Sequence, residues 1–200
     1  TVSIGKTTDY NITEKCADKY VDQAWDVWTK WIEPDYKTYN DSSRRGRPFL
    51  AQFQNGTSHQ GLTITVEVDG RVPARIDPDK VDLPPHVPDL PQCRADYAVH
   101  LDSVERVDRW VGLFLDDLRK RGLLEETVIF FFADNGSGCL PRSKGFPYRT
   151  GLQVPLIIYA PDKWKHLLPA ERGQTSDRLV SFADFGPTAL SIAGVKPPHY

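Results

Sequence analysis

Apolar runs of membrane-spanning length are missing: no stretch approaches the roughly 18 consecutive apolar residues a span needs. The amino end shows no charged segment leading into an apolar one, so neither a signal peptide nor a membrane span is expected. Charge of one sign is missing too. Lys and Arg number 25 against 27 Asp and Glu, and a net charge of −2 offers no basic excess to nucleic acid or an anionic membrane. Small or carbohydrate-like partners are what this balance leaves. Cysteine is scarce: Cys16, Cys93 and Cys139 form an odd set without metal-ligand spacing. That excludes a disulfide framework, shows no zinc site and leaves the redox compartment open. Low-complexity sequence is absent as well.

What is present suffices for one core. A chain of 200 residues, 40% of them hydrophobic, is expected to fold as a single compact domain. All four asparagines, Asn11, Asn40, Asn55 and Asn135, stand in N-x-S/T sequons, which would suit a glycosylated secreted protein from a eukaryote, although chance matches to so short a pattern are the better reading. Val21, Trp25, Trp28 and Ile32 recur at three- and four-residue steps, predicting an amphipathic helix over 20–32 that ends before Pro34. After a polar loop, Pro48 opens a short strand over 49–53, which runs into Asn55-Gly56 and brings His59 to its carboxyl end. Residues 61–91 hold one possible strand, 62–68, and then a Pro-rich surface excursion.

The clearest helix starts near Pro91, with Asp89 as N-cap and Gln92 completing an Asp variant of the capping box. Tyr97, Leu101, Val104, Val111, Phe114, Leu115 and Leu118 make its apolar stripe, and Gly122 follows Arg119, Lys120 and Arg121 as a stop. Two unbroken apolar runs, TVIFFFA at 127–133 and VPLIIYA at 154–160, are too short for helices. They are expected as neighbouring buried strands of a mixed or mainly parallel sheet, with the 91–121 helix on one face. A last helix is expected over 182–193. This order of strands and helices is an α/β layered pattern.

Ligands in open α/β sheets gather at the carboxyl ends of strands, and Asp134-Asn135-Gly136 follows the TVIFFFA strand directly. A carboxylate beside an amide carbonyl supplies hard oxygen donors of the kind calcium takes, and Gly136 lets the backbone turn sharply. A plain Asn-Gly turn is the alternative. The connection to the next strand, about twenty residues long, carries Pro141, Arg142, Lys144, Tyr148 and Arg149. An ammonium such as Lys144 is unfavourable near a divalent cation unless an anion lies between them, and a sulfate ester or phosphate group satisfies both. His59 carries an imidazole, a side chain that can protonate a leaving alkoxide. Taken singly, Lys144 and His59 read as plain surface side chains.

The segment IFFFADNGSGCLPRSKGFPYRTGLQVPLIIYAP closely resembles the region of sulfatases, in the alkaline-phosphatase superfamily, where D-N-G or D-H-G precedes L-P-R-x-K and then G-x-x-V-P-L-I. RPFLAQFQNGTSHQ is similar to the strand that delivers the family's active-site histidine. DYAVHLDSVERVDRWVGLFLDDLRKRGLLEETVIFFFADNG resembles the helix and strand before the metal pair, and LVSFADFGPTALSIAGVKPP a later block. SIGKTTDYNI resembles the lysine segment written K-T-D-Y-N. The fit is weakest over 61–85.

The resemblance implies a three-layer α/β/α sandwich of the alkaline-phosphatase/sulfatase type, incomplete here, with residues 1–200 forming part of one catalytic domain truncated at both ends. It implies that Asp134 and Asn135 are ligands of one calcium ion whose site this chain only partly supplies. Lys144 contacts the sulfate group, His59 protonates the leaving oxygen, and Lys6 steadies the nucleophile, although the extra threonine in K-T-T-D-Y-N leaves the register open to Asp9. The family's formylglycine nucleophile comes from a C/S-x-P-x-R motif, which does not occur in this sequence. Cys139-Leu140-Pro141-Arg142-Ser143 has its arginine one place early, and Cys139 reads as an ordinary cysteine. The paired aspartates that complete the family's calcium site are absent also. Hydrolysis of sulfate esters, by default of carbohydrates, is the implied activity, and the 200 residues alone are expected to be inactive. The substrate is then a sulfated small molecule or glycan, and the resemblance suggests a secreted, periplasmic or lysosomal setting. A phosphatase or phosphodiesterase of the same superfamily, and a non-catalytic pseudoenzyme that binds sulfated ligands, are the alternatives.

Overall fold

The computed structural model describes residues 2–4, 51–53, 55–60 and 75–196. The helix expected over 20–32, the strand expected over 62–68 and Lys6 lie outside the described residues. Strand β1, Val2–Ile4, pairs in parallel with β2, Ala51–Phe53, in the register Val2↔Ala51 to Ile4↔Phe53. The β2 strand lies inside the run expected over 49–53.

Helix α1 spans Pro91–Lys120. Pro91 suits its first position because the missing N–H has no intrahelical partner there. The cap differs from expectation: Leu90, in extended conformation, is the N-cap and makes no side-chain cap bond. Asp89 instead pairs with Arg94, whose guanidinium donates to Asp89 Oδ2 at 2.8 Å and to the Val81 carbonyl at 3.1 Å. A charge-assisted pair to a guanidinium outcompetes a bond to one backbone amide. Gln92 donates to Asp96 rather than closing a box. At the other end Gly122 turns left-handed at φ +67, with Gly122 N–H bonded to Arg119 O and Leu123 N–H to Leu118 O. Those two bonds are the Schellman stop that a glycine there permits.

The large apolar side chain that α1 buries lies toward its carboxyl end. Leu118 is buried against Leu124, with Phe114, Leu115, Leu123, Ile129 and Tyr159 around them. In the amino-terminal half the buried residues are Ala98, Asp102 and Ser103, whereas Val104, expected in the stripe, is exposed. Asp102 can be buried because Arg75 Nε, at 3.2 Å, and Arg106, at 2.7 Å, both donate to its carboxylate. These bonds and those of Arg94 fasten the 75–90 excursion onto α1.

Strand β3, Ile129–Phe132, and strand β4, Leu156–Tyr159, are neighbours, as their apolar character predicts. The pair is antiparallel, from Ile129↔Tyr159 to Phe132↔Leu156. The expectation of full burial is corrected: β3 is half-buried and Ile157 of β4 is 61% exposed. Side chains alternate across a strand. Ile129 accordingly packs on the Leu118–Leu124 cluster, while Phe130 and Phe132 meet the aromatics of the last helix, Phe132 lying 4.6 Å from Phe185 between ring centroids. Two helices thus flank β3 on opposite faces, which accounts for its unbroken apolar run. The last helix is compound, a 3-10 turn Phe182–Asp184 followed by α-helix Phe185–Ile192. Ser181 and Asp184 form its capping box, a device the sequence reading passed over. Among the described residues no helix is long and apolar enough to cross a membrane.

Candidate active site

His59 reaches the site from the turn after β2. Asn55 Oδ1 accepts from Thr57 N–H at 2.8 Å and Gly56 O from His59 N–H at 2.9 Å, so the Asn55-Gly56 pair folds the chain tightly and leaves His59 exposed. Asp134 and Asn135 follow the end of β3, where Ala133 N–H still bonds to Pro155 O at 3.3 Å. They therefore stand at the carboxyl end of a strand, where the sequence put them.

The next segment is closed on itself. Gly136 N–H donates to Gly151 O at 3.1 Å and Lys144 N–H to Ser137 O at 3.3 Å. Ser143, 1% exposed, donates from Oγ to Thr150 O at 2.9 Å, and Thr150 Oγ1 donates to Arg142 O at 2.6 Å. There is no room for a side chain at Gly136, where a Cβ would lie 2.0 Å from Thr150 O and 2.4 Å from Ser143 Oγ. The His59 turn abuts the same segment, since a Cβ on Gly138 would meet Gln60 Cβ at 2.4 Å.

Lys144 Nζ lies 3.1 Å from His59 Nε2, a contact between residues 85 positions apart. The loop of Asp134 and Asn135, the loop of Lys144 and the turn of His59 are thus joined by hydrogen bonds and close packing. Among the described residues no carboxylate forms an ion pair with Lys144, and no cation pairs with Asp134. Asp134 is exposed and Asn135 half-buried. Two hard oxygen donors, a carboxylate and an amide carbonyl, fit calcium in chemistry, but calcium takes about six to eight such ligands. The described residues contain no group of three His, Cys, Asp or Glu side chains that could hold a metal by themselves. Lys6 lies outside the described residues.

Sequence reasoning missed the residues that brace these loops. Ser137 is the hub: its carbonyl holds Lys144 N–H, its Oγ accepts from Cys139 N–H at 3.1 Å, and the same Oγ lies 3.3 Å from His100 Nδ1 on α1. His100 is half-buried, and burial lowers its pKa below the ordinary 6.5, favouring the neutral imidazole. The available signal was the position of His100 three residues after Tyr97 on the predicted inward stripe, and its ring does stand 6.0 Å from that of Tyr97. Ser143 carried no sequence signal beyond its place between Arg142 and Lys144.

A family model described as Sulfatase matches residues 6–195. The chain is 40% identical over 152 residues to the ulvan-active sulfatase of Formosa agariphila, covering 74% of this chain and 24% of that protein. It is 33% identical over 171 residues to the N-sulphoglucosamine sulphohydrolase of Homo sapiens, covering 82% of this chain and 32% of that protein. Against the arylsulfatase of Clostridium perfringens the identity is 31% over 104 residues, or 50% of this chain and 21% of the other. The chain spans about a quarter to a third of the length of the first two relatives. With the family match running through nearly all of its residues, including the His59, Asp134 and Lys144 segments, this chain belongs to the sulfatase family.

Proposed function

We propose that this chain carries the metal-binding, sulfate-binding and leaving-group residues of an enzyme that hydrolyses sulfate esters of carbohydrates, ester plus water giving alcohol plus inorganic sulfate. Membership of the family implies an alkaline-phosphatase-like α/β fold. In this reading the flanking of β3 by two helices is part of a three-layer α/β/α sandwich, and residues 1–200 belong to a single catalytic domain. The names of two relatives, an ulvan-active sulfatase and an N-sulphoglucosamine sulphohydrolase, support a carbohydrate as the alcohol half.

The observation that carries the proposal is the 3.1 Å contact between Lys144 Nζ and His59 Nε2. Two nitrogens that can each bear a proton are brought together, on a lysine that no carboxylate among the described residues neutralises. A sulfate group at this point accepts hydrogen bonds from Lys144, and the oxygen joining sulfur to carbon then lies within reach of His59. As the S–O bond breaks, a proton from the His59 imidazole passes to the departing alkoxide oxygen. Asp134 and Asn135 are the residues of this chain that would hold calcium, which when bound offsets the negative charge of the sulfate oxygens. Lys6 is assigned to the neighbourhood of the nucleophile, a formylglycine contributed by sequence other than residues 1–200.

The test is sulfate release, followed by ion chromatography, from a sulfated monosaccharide by a protein carrying these residues together with the formylglycine motif. His59→Ala and Lys144→Ala should each abolish release. Faster turnover of the matching phosphate ester, or retained activity in the Lys144 variant, contradicts the assignment.

A further inference from the structure

Arg142 stands in the left-handed region, at φ 57, as the only non-glycine residue with positive φ among those described. A residue with a Cβ meets a steric cost there that glycine would not, and such outliers persist where the surrounding structure holds them. Here the holding is visible: Thr150 Oγ1 grips the Arg142 carbonyl at 2.6 Å and buried Ser143 fixes the next residue. The outcome of this conformation is that the guanidinium lies over the ring of Tyr148, 5.7 Å from its centroid. Tyr148 in turn neighbours Phe146, their centroids 6.4 Å apart, and both rings are at least half exposed. Residues 142–149 contain Arg142, Lys144 and Arg149 and no acidic residue. Among the described residues no carboxylate forms an ion pair with Arg142.

We propose that Arg142, laid over Tyr148, is a second anion subsite that binds an acidic group on the sugar whose sulfate ester Lys144 holds. This deepens the functional reading above and rests on it, because it takes Lys144 as the sulfate contact. The two cations flank buried Ser143 in the sequence, Arg142 exposed and Lys144 half-buried. A guanidinium presents a planar fork suited to an oxyanion, and it is more weakly hydrated than an ammonium, so it binds well against an aromatic face. The exposed rings of Tyr148 and Phe146 offer flat apolar faces of the kind on which the C–H face of a pyranose packs. The substrate class is therefore a sulfated saccharide with a further oxyanion, either the carboxylate of a uronic acid or a second sulfate.

Calorimetric titration of the 200-residue chain with inorganic sulfate, methyl glucoside 6-sulfate, methyl glucoside 3,6-disulfate and a 2-sulfated methyl glucuronide tests this. At least one doubly charged sugar should bind about tenfold more tightly than the monosulfate, the increment expected of one charge-assisted hydrogen-bonded pair. Which of the two gains identifies the source as sulfate or carboxylate. Arg142→Gly suits the left-handed backbone, so the loop keeps its shape; it should erase that preference and leave inorganic sulfate binding intact. Tyr148→Ala should weaken all three sugars and spare inorganic sulfate. The subsite is overturned if the unaltered chain shows no preference for a second anion, or if Arg142→Gly retains it or weakens inorganic sulfate equally. Failure of the underlying reading has a separate signature, unchanged inorganic sulfate binding in Lys144→Ala.

Discussion

Replacing Gly136 by alanine places a methyl carbon 2.0 Å from the Thr150 carbonyl oxygen, 2.4 Å from Ser143 Oγ and 2.9 Å from Gly151 Cα. Ser143 could rotate at the expense of its bond to Thr150, but the other two atoms are backbone and have no rotamer to escape into. Real Cβ contacts essentially never fall below 3.0 Å, so the two loop strands have to separate by about 1 Å. Forced overpacking of this kind costs about 1–3 kcal/mol. In a domain of this size each kcal/mol moves the melting temperature by about 2–4 °C, so a fall of between about 2 and 12 °C is expected in scanning calorimetry. The displaced groups are the Asn135 backbone on one side and the Ser143-Lys144 segment on the other. Inorganic sulfate affinity should therefore also fall, by about tenfold if the Lys144 contact is lost. Gly112 is the control: it lies inside α1 with nothing within 4 Å of an added Cβ. Gly112→Ala should stabilise the chain by about 0.5–1 kcal/mol through helix propensity. Equal melting temperatures and sulfate affinities for Gly136→Ala and the unaltered chain would refute the reasoning, as would equal destabilisation by both substitutions.

Other consequences can be checked on the same protein. Asp102→Ala removes a buried carboxylate but leaves Arg75 and Arg106 partly exposed, at 53% and 33% of their side-chain surface, so water can recover them. The expected cost is about 2 kcal/mol, read as a lower urea midpoint at unchanged m-value, and an unchanged midpoint contradicts it. The folded pKa of His100 lies below the unfolded value near 6.5, so the unfolded chain takes up the proton first. Stability is therefore complete above about pH 6.5 and declines as pH falls toward the folded pKa, at no more than about 1.4 kcal/mol per pH unit. His100→Gln should flatten that decline in urea titrations between pH 7 and pH 5, and an identical slope in the variant would rule His100 out as its source. Purified residues 1–200 should hydrolyse an aryl sulfate no faster than buffer, since no C/S-x-P-x-R motif occurs among them. Turnover that disappears on Cys139→Ala would instead make Cys139 the nucleophile.

Local chemistry determined much of this protein directly from sequence. Gly122 had to end α1 because a left-handed residue closes the two bonds seen there, and TVIFFFA had to be a strand because six consecutive apolar residues are too few for a covered helix. The order Asp-Asn-Gly after that strand put two oxygen donors at a strand's carboxyl end without any coordinates. Long-range pairing was decided elsewhere. Nothing local tells α1 to bury Asp102 instead of Val104, since Arg75 is supplied 27 positions away. The antiparallel sense of β3 and β4 is equally invisible in two apolar runs joined by a loop long enough for either sense. His100 and Ser137 had no motif to mark them, because a brace is defined by the distance between two elements and not by the spacing within one. The same reason governs the pair that matters most: His59 and Lys144 each read as an ordinary surface residue alone, and only the tertiary fold closes 85 positions of chain to 3.1 Å.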